Sequence, residues 1–270
     1  MPLVTETAVV AHCLGPFRLE IAGRPVEHWR AGKARALFQY LLINRGRTVH
    51  RDRLHQVLWP ESTNRGSSSL KVAVHAVRRV IGAHEVEGGP VLYYRDHGYL
   101  LWIDSASIDL EEFERAFEEG RRAWAAKDHA VALERFRRAA ELYTGDFLAG
   151  EDGDWIDEQR QWTRGIALRA MTTLRADALE REDWPEAMHW CRRILDLDPC
   201  HEDTYRVLMM MHGELGEIGR VRDWYEQCRR RLRDDLDVAP AERTEQLAAV
   251  LMRGPASRTP ELSLARPAAV

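Results

Sequence analysis

The stretch Leu70-Lys71-Val72-Ala73-Val74-His75-Ala76-Val77-Arg78-Arg79 decides the fold of the first part of the chain. Its apolar residues recur at i, i+4, i+7 and i+11, a spacing that places on one stripe Leu70, Val74, Val77 and Ile81. The pattern predicts an amphipathic helix over about 67–81, with Gly82 just past its end. Such a helix packs through its apolar stripe and leaves a polar, basic face that can reach base edges and phosphates.

The segments on either side of this helix predict a winged helix. Two further helices precede it, over 33–44 and 50–59, and short β-type runs open the chain at 9–14 and 17–21. Two β-rich runs follow it, at 91–94 and 99–103, joined by Arg95-Asp96-His97-Gly98. This junction predicts a hairpin in which the glycine takes a positive φ. Strands, three helices and a terminal hairpin are the element order of a winged helix with an N-terminal sheet.

The rest of the chain is predicted to be an all-α repeat domain. Strands are expected to cease after Asp104, and Asp109-Leu110-Glu111-Glu112 resembles a capping box that opens the first helix. Sliding the chain on itself by 37 residues aligns Cys191-Arg192-Arg193 with Cys228-Arg229-Arg230, and an offset of 55 aligns earlier helices. Repeats of this length favour tetratricopeptide-like helical hairpins.

The predicted organisation is therefore two domains and a tail. The N-terminal α+β winged helix-turn-helix covers 1–105, and the tetratricopeptide-like domain covers 106–253. The last stretch, 254–270, contains three prolines among Ser, Arg and Ala and is expected to be disordered. A chain of 270 residues is long enough for two cores of ordinary size.

Composition and charge narrow the class of protein. The chain is 45% hydrophobic and 30% charged, which is typical of a globular protein, and its four cysteines are too few for a disulfide framework. It contains neither an apolar run of membrane-spanning length nor a signal-peptide pattern, so we expect a cytoplasmic, nucleoid-associated protein. The net charge of −4 is the sum of +5 up to Ser105 and −9 from Ala106 onward. A basic first part favours a nucleic-acid module.

The candidate DNA contacts come from the third helix, the hairpin turn and basic residues of the earlier helices. Serines at the helix start expose backbone N–H groups that favour a phosphate, and the arginine of the turn suits a wing contact. The alternative is a solvated amphipathic helix flanked by ordinary surface charges. The candidates are Lys33, Arg35, Arg51, Asn64, Arg65, Ser68, Ser69, Lys71, Val72, His75, Arg78, Arg79, Arg95 and His97.

Metal binding and catalysis find little support in the sequence. The second part contains scattered histidines and cysteines, but they lack the closely spaced pairs of a zinc site: His189, Cys191, Cys200, His201, His212 and Cys228. There is no glycine-rich phosphate loop, nucleophile elbow or H-E-x-x-H motif. We therefore expect neither an enzyme nor a bound metal or cofactor.

Several motifs in order resemble a known family. The stretches 32–37, 51–60, 70–79 and 98–101 together look like the OmpR-type winged helix. From Ile108 onward the chain resembles the bacterial transcriptional activation domain, as in Asp109-Leu110-Glu111-Glu112-Phe113 and Leu142-Tyr143-Thr144-Gly145-Asp146-Phe147-Leu148. This pairing, over about residues 8–251, resembles the SARP family of antibiotic-cluster regulators of actinobacteria.

Two residues depart from the family pattern. His50 stands where Ser or Thr often caps the second helix, and histidine is a poor N-cap, so that helix start is expected to be less stable. Ala76 stands at a position where many members carry an arginine and is expected to face the DNA groove.

The resemblance implies a sequence-specific activator of an antibiotic biosynthetic gene cluster. Its partners would be double-stranded DNA, read as direct repeats near the −35 region by side-by-side protomers (a homodimer on DNA), and RNA polymerase holoenzyme through its sigma factor and alpha subunit. Two alternatives stay open from the sequence: a repeat-protein adaptor that binds only proteins, and a regulator whose helical concavity senses a small molecule.

Overall fold

The computed structural model describes residues 8–29, 32–61, 67–84 and 86–253, which fall into two compact units. The first unit contains the residues up to 115 together with 141–163, and the second contains 116–140 and the residues from 164 onward. These units do not divide the chain at residue 105, where the sequence places its domain boundary. The tail expected over 254–270 lies outside the described residues.

The first unit contains the winged helix and an N-terminal sheet. Its elements in chain order are β1 (Val9–His12), β2 (Arg18–Ile21), β3 (Arg24–Pro25), α1 (Gly32–Ile43), β4 (Val49–His50), α2 (Arg51–Leu58), α3 (Ser67–Ala83), β5 (Val91–Arg95), β6 (Gly98–Trp102) and β7 (Ala106–Ile108). The three helices and the terminal hairpin are confirmed. The expectation that strands cease after Asp104 is wrong, because β7 pairs in parallel with β1 and completes a sheet of order β3-β2-β1-β7.

The core of the winged helix forms where the apolar stripes of the three helices meet. Leu37 and Leu41 of α1, Leu54 of α2 and Val77 of α3 have almost no exposed surface, and α1 packs on both other helices. The second sheet, of order β4-β6-β5, places Leu101 in this core. Burying such side chains supplies most of the driving force for folding, at about 1.5–3 kcal/mol each.

Residues 141–163 belong to the first unit because their backbone bonds to the end of β1. The Leu148 and Ala149 amides donate to the carbonyls of Cys13 and Gly15, at 2.8 and 2.9 Å, and the Gly15 amide donates to Asp146. Asp109 was expected to open a capping box. The helix does begin at Asp109, and the Asp109 carboxylate accepts from the Leu110 amide at 2.7 Å and from the Cys13 and Leu14 amides at 2.7 and 3.1 Å. Strand-like backbone bonds therefore join two stretches more than 130 residues apart.

The remaining elements are helices. They are α4 (Asp109–Ala125), α5 (His129–Leu142), α6 (Asp154–Glu180), α7 (Trp184–Leu197), α8 (Glu202–Glu214), α9 (Ile218–Leu236) and α10 (Glu242–Met252). In the second unit, consecutive helices α7, α8 and α9 pack pairwise, and a core forms around Ala187, Cys191 and Leu208. None of the helices in the described part of the chain is long and apolar enough to cross a membrane.

A polar network inside the second unit links α6 to α8 and α10. The buried guanidinium of Arg175 donates to the Thr204 hydroxyl at 2.7 Å and to Asp203 at 2.5 Å. Burial raises the pKa of the Asp203 carboxyl, but the charges and hydrogen bonds of Arg175 and Arg206 together outweigh burial, so the pKa lies below its ordinary value. Arg206 donates to the same carboxylate and to the Thr244 hydroxyl of α10. Pairing of this kind makes a buried guanidinium tolerable.

Candidate nucleic-acid interface

Helix α3 has one buried and one solvent-exposed face. Leu70, Ala73, Val74, Val77 and Val80 are buried, as the apolar spacing predicts. The opposite face exposes Ser69, Lys71, Val72, His75, Arg78 and Arg79. Val72 is 60% exposed, so its methyl groups are accessible to another molecule. The predicted polar and basic face of α3 therefore exists as a surface.

Arg78 and Arg79 are neighbours in sequence but have different roles. The Arg78 guanidinium donates to the Leu92 carbonyl at 3.2 Å and so ties α3 to β5. It also lies near Tyr99, where burial raises the pKa of the hydroxyl and the Arg78 charge opposes that rise. Within the described residues, Arg79 has no hydrogen bond or ion pair. Arg79 is thus the arginine of this helix that is free to bind a ligand.

Ala76 corrects an expectation drawn from the family pattern. It is 8% exposed and therefore does not face a DNA groove. Positions 73, 76 or 77, and 80 lie one turn apart on a helix, so Ala76 borders the apolar stripe instead of the exposed face. The exposed row on α3 contains Lys71, Val72, His75 and Arg79 instead.

The wing turn is formed by Asp96 and His97, both of which have a left-handed backbone, with φ of 49° and 58°. Two left-handed central residues are the geometry of the type I′ hairpin turn, whose twist matches that of the strands. The expectation that Gly98 supplies a positive φ is wrong. Glycine is required there because β4 lies so close that an added Cβ would be 2.8 Å from the Thr48 methyl and from the Val49 carbonyl carbon.

The wing turn is attached to the start of α2. The Arg51 amide donates to the His97 carbonyl at 3.1 Å, while the side chains of both residues stay exposed. The Arg95 side chain is 70% exposed and pairs with the neighbouring Asp96 at 3.2 Å. The wing therefore offers a guanidinium and an imidazole at its tip, held in place by backbone bonds.

His50 is the second residue that departs from the family pattern. It is the N-cap of α2, and its Nδ1 accepts from the Asp52 amide at 3.3 Å. A neutral imidazole nitrogen can take the place of the serine oxygen because it also carries a lone pair, although the bond is long. The start of α2 is therefore capped by the histidine.

The basic candidates on α1 differ from each other. The Lys33 side chain is exposed. Arg35 is engaged inside the first unit: it donates to the Phe17 carbonyl at 3.3 Å, pairs with Glu151 at 2.9 Å and lies over the Phe17 ring. The structure therefore removes Arg35 from the set of residues free to contact a phosphate. Asn64, Arg65 and the side chain of Ser68 lie outside the described residues.

The candidate interface also contains exposed aromatic residues. The sequence predicted that these residues lie in strands but did not indicate that they are exposed. Tyr93 and Tyr94 of β5 and Trp102 of β6 each expose about half of their surface. Tyr94 packs edge-on against Tyr99. The signal available in the sequence was two adjacent tyrosines in a short strand, since alternation can bury at most one of such a pair.

The described residues hold no cluster of three metal-ligating side chains, and all four cysteines are free thiols. Burial and then the Asp109 charge raise the pKa of Cys13, and burial raises that of Cys191 to about 11 and that of Cys228 to about 12. Cys200 is the only cysteine that is not fully buried.

Two protein-family models match the chain. Residues 108–252, more than half of the chain, match the family model of the bacterial transcriptional activator domain. Residues 27–101 match the model described as "Transcriptional regulatory protein, C terminal". The chain belongs to the SARP family of transcriptional regulators. The two matches leave 102–107 between them, so the family domains meet close to β7, whereas the compact first unit continues beyond it.

Individual relatives of this SARP-family chain are distant in sequence. It is 27% identical over 241 residues to the regulatory protein DnrI of Streptomyces peucetius, an alignment that covers 83% of this chain and 85% of DnrI. It is 26% identical over 243 residues to the regulatory protein AfsR of Streptomyces coelicolor, covering 86% of this chain but only 24% of AfsR. The chain thus spans about a quarter of the length of AfsR.

A solved structure supports the fold of this SARP-family chain. Mycobacterium tuberculosis EmbR, in complex with a low-affinity phosphopeptide, superimposes with a TM-score of 0.69 and 22% sequence identity. The match covers 93% of this chain and 66% of the EmbR chain. The N-terminal winged helix followed by a helical domain is therefore an arrangement that EmbR shares.

Proposed function

We propose that this SARP-family chain is a sequence-specific DNA-binding activator of transcription whose reading element is α3. The observation that carries the proposal is the solvent-exposed row on α3. In the part of the chain that the structure describes, the side chains of this row make no hydrogen bond or ion pair: Lys71, Val72, His75 and Arg79. A helix that buries its other face and leaves such a row free matches what the major groove admits.

Each member of the row suits a different feature of DNA. Arg79 can bind O6 and N7 of guanine with two parallel bonds or hold a phosphate, while Lys71 acts as a point charge on the backbone. His75 can donate or accept, and the exposed methyl groups of Val72 can pack on a thymine methyl. On the wing, Arg95 reaches the adjacent backbone or minor groove. Lys33 and Arg51 add phosphate contacts.

The wider biological role rests on the family membership. We propose direct repeats near the −35 region as the operator, two side-by-side protomers on it, and recruitment of RNA polymerase holoenzyme through the sigma factor and alpha subunit. The regulated genes would be an antibiotic biosynthetic cluster, in line with the similarity to Streptomyces regulatory proteins. The net charge of −9 from Ala106 onward favours protein partners over DNA for the helical part.

The test measures binding of the full chain to fluorescent DNA from the intergenic region beside its own gene, with scrambled DNA as competitor. The double variant Lys71→Ala/Arg79→Ala is expected to lose on the order of 10- to 100-fold in affinity, because each lost base or phosphate contact costs about tenfold. If both residues contact phosphates, the slope of log K against log salt should fall by about 1.8.

Arg18→Ala is the matched control, since Arg18 is an exposed arginine of the same unit on the other sheet. It is expected to bind like the unchanged chain. A chain with no preference over scrambled DNA, together with a double variant that behaves like the control, contradicts the proposal. That result would instead favour the adaptor that binds proteins alone.

A further inference from the structure

The start of α8 carries a histidine that is bonded to the buried Arg175 network. His201 is the N-cap of α8 and is partly buried. Its Nδ1 lies 3.0 Å from the hydroxyl of Thr204, a residue with no exposed surface. The same hydroxyl accepts from the Arg175 guanidinium at 2.7 Å. The three side chains therefore form one chain of hydrogen bonds, with His201 at its less buried end.

The positions of the protons in this chain follow from what each group can donate and accept. A guanidinium only donates, so the Thr204 oxygen is the acceptor toward Arg175. The hydroxyl carries a single proton, and His201 Nδ1 lies within hydrogen-bond distance of it. The hydroxyl donates to Nδ1 only if that nitrogen has a lone pair. This assigns to His201 the neutral form, with its proton on Nε2.

A protonated His201 does not fit the same arrangement. Its Nδ1 would be a donor, so the Thr204 hydroxyl would face two cationic donors and its own proton would lose its acceptor. The imidazolium would also lie one hydroxyl away from the Arg175 charge and at the positive end of the α8 dipole. Burial and then the Arg175 charge lower the pKa of His201 below its ordinary value.

Two carboxylates near His201 act in the opposite direction. Asp198 at the end of α7 and Asp203 in the first turn of α8 favour the charged imidazole, but the pKa of His201 stays lowered. Asp203 is already the acceptor of two guanidinium groups, Arg175 at 2.5 Å and Arg206 at 3.1 Å. Its charge is therefore largely compensated before it reaches the imidazole.

The charges on the other helices that pack on α8 are also paired. On α9, Arg231 and Asp235 pair with each other at 3.9 Å. On the α10 side, Glu202 accepts from the Thr244 hydroxyl at 2.6 Å and from the Ala241 amide at 3.1 Å. The balance around the start of α8 thus keeps the imidazole neutral.

We propose that His201 is a pH-sensitive latch, which holds the start of α8 on α6 when it is neutral and releases it when it is protonated. The Thr204 hydroxyl is the connecting group, because it joins Arg175 to His201 only in the neutral state. Opening would bring water to a hydroxyl that has no exposed surface in the closed state. The inference concerns the second unit and does not depend on the DNA-reading role of α3.

The direction of the pH dependence follows from proton binding. The pKa of His201 is lower in the folded chain than in the unfolded chain, so the unfolded chain binds more protons in mildly acidic solution. The contribution to stability is complete above the ordinary imidazole pKa of about 6.5 and is lost as the pH falls from there through the lower folded-state pKa. The latch is therefore closed at neutral pH and opens on acidification.

The experiment measures hydrogen exchange of the full chain by mass spectrometry at about pH 7.5 and about pH 5.5, on either side of the usual titration range of histidine. His201→Asn is the test variant, because the asparagine oxygen replaces Nδ1 as an acceptor and is not protonated. The two chains share the same intrinsic exchange chemistry at each pH, so the ratio of their rates isolates the latch. In peptides of α8, the rate of the unchanged chain relative to His201→Asn is expected to rise about threefold or more at the lower pH.

Two further variants separate the latch from a general effect of histidine titration. His189→Asn removes an exposed histidine of α7 in the same unit, and its exchange in α8 should follow the unchanged chain at both pH values. Thr204→Val removes the hydroxyl and keeps the shape of the side chain, so it should reduce the pH dependence although His201 is still present. Nitrogen NMR of the unchanged chain with isotope-labelled histidine reports the protonation state of Nδ1 directly.

Each result decides for or against the latch. A rate ratio between the unchanged chain and His201→Asn that does not change with pH overturns it, and so does an equal effect of His189→Asn. A Thr204→Val variant that keeps the full pH dependence shows that the hydroxyl does not connect His201 to Arg175, which also overturns it. A proton on Nδ1 at neutral pH contradicts the inference even if a variant fails to fold.

Discussion

Asp109→Ala tests the attachment of residues beyond the winged helix to the first compact unit. The Asp109 carboxylate is 12% exposed and accepts from the Cys13 and Leu14 amides at 2.7 and 3.1 Å. Both donor residues are almost fully buried. Alanine would leave two buried N–H groups without partners in a place that water cannot easily enter.

The expected cost follows from these two bonds. A hydrogen bond to a charged group contributes about 1.5–3 kcal/mol, and an unsatisfied buried donor loses most of that. We therefore expect Asp109→Ala to lower the free energy of unfolding of the first unit by roughly 3–5 kcal/mol. Asp109→Asn keeps one acceptor oxygen and should cost about half as much.

Urea unfolding followed by circular dichroism gives the free energy of unfolding, and hydrogen exchange detected by mass spectrometry reports the amides around Cys13 directly. Glu20→Ala, an exposed carboxylate on β2, serves as the control and should change neither. The reasoning is refuted if Asp109→Ala costs less than about 1 kcal/mol and its amides around Cys13 stay as protected as in the unchanged chain.

Two further perturbations probe the wing and the thiols. Gly98→Ala should destabilise the first unit by about 1–3 kcal/mol and weaken DNA binding, because its Cβ collides with the β4 backbone; an unchanged melting temperature would contradict this. In the folded chain, Cys200 should be the only thiol that reacts within minutes with a disulfide reagent, and faster at higher pH, because burial, followed by Asp235 and Asp198, raises its pKa. Cys200→Ser should abolish that fast reaction, and a fast phase that survives in this variant would show that another cysteine is accessible.

The local elements of the winged helix were predictable because their signals are local. Apolar residues at helical spacing placed all three helices within about two residues of their observed bounds, and two β-rich runs joined by a short turn located the hairpin. The short strand β7 was missed because a three-residue parallel strand has almost no sequence pattern of its own. It forms only because β1 lies beside it.

The candidate site was predicted as a set of residue types, and the structure separates that set. The exposed row of α3 contains Lys71, Val72, His75 and Arg79. The guanidinium groups of Arg35 and Arg78 instead donate hydrogen bonds to backbone carbonyls of the same unit. A sequence cannot distinguish a free arginine from one that holds a fold together, since both are charged residues on an otherwise solvated face.

The sequence by itself determined the element order, the amphipathic character of α3 and the change from a basic to an acidic chain near residue 105. These features follow from the identity of each side chain, which sets both the apolar periodicity and the charge. Only the tertiary structure decided that 141–163 joins the first unit and that the Arg35 and Arg78 side chains bond to carbonyls of that unit. The physical reason is that backbone amides and carbonyls make the first of these connections. Every residue except proline carries the same amide and carbonyl, so their pairing across more than 130 residues leaves no mark in the sequence.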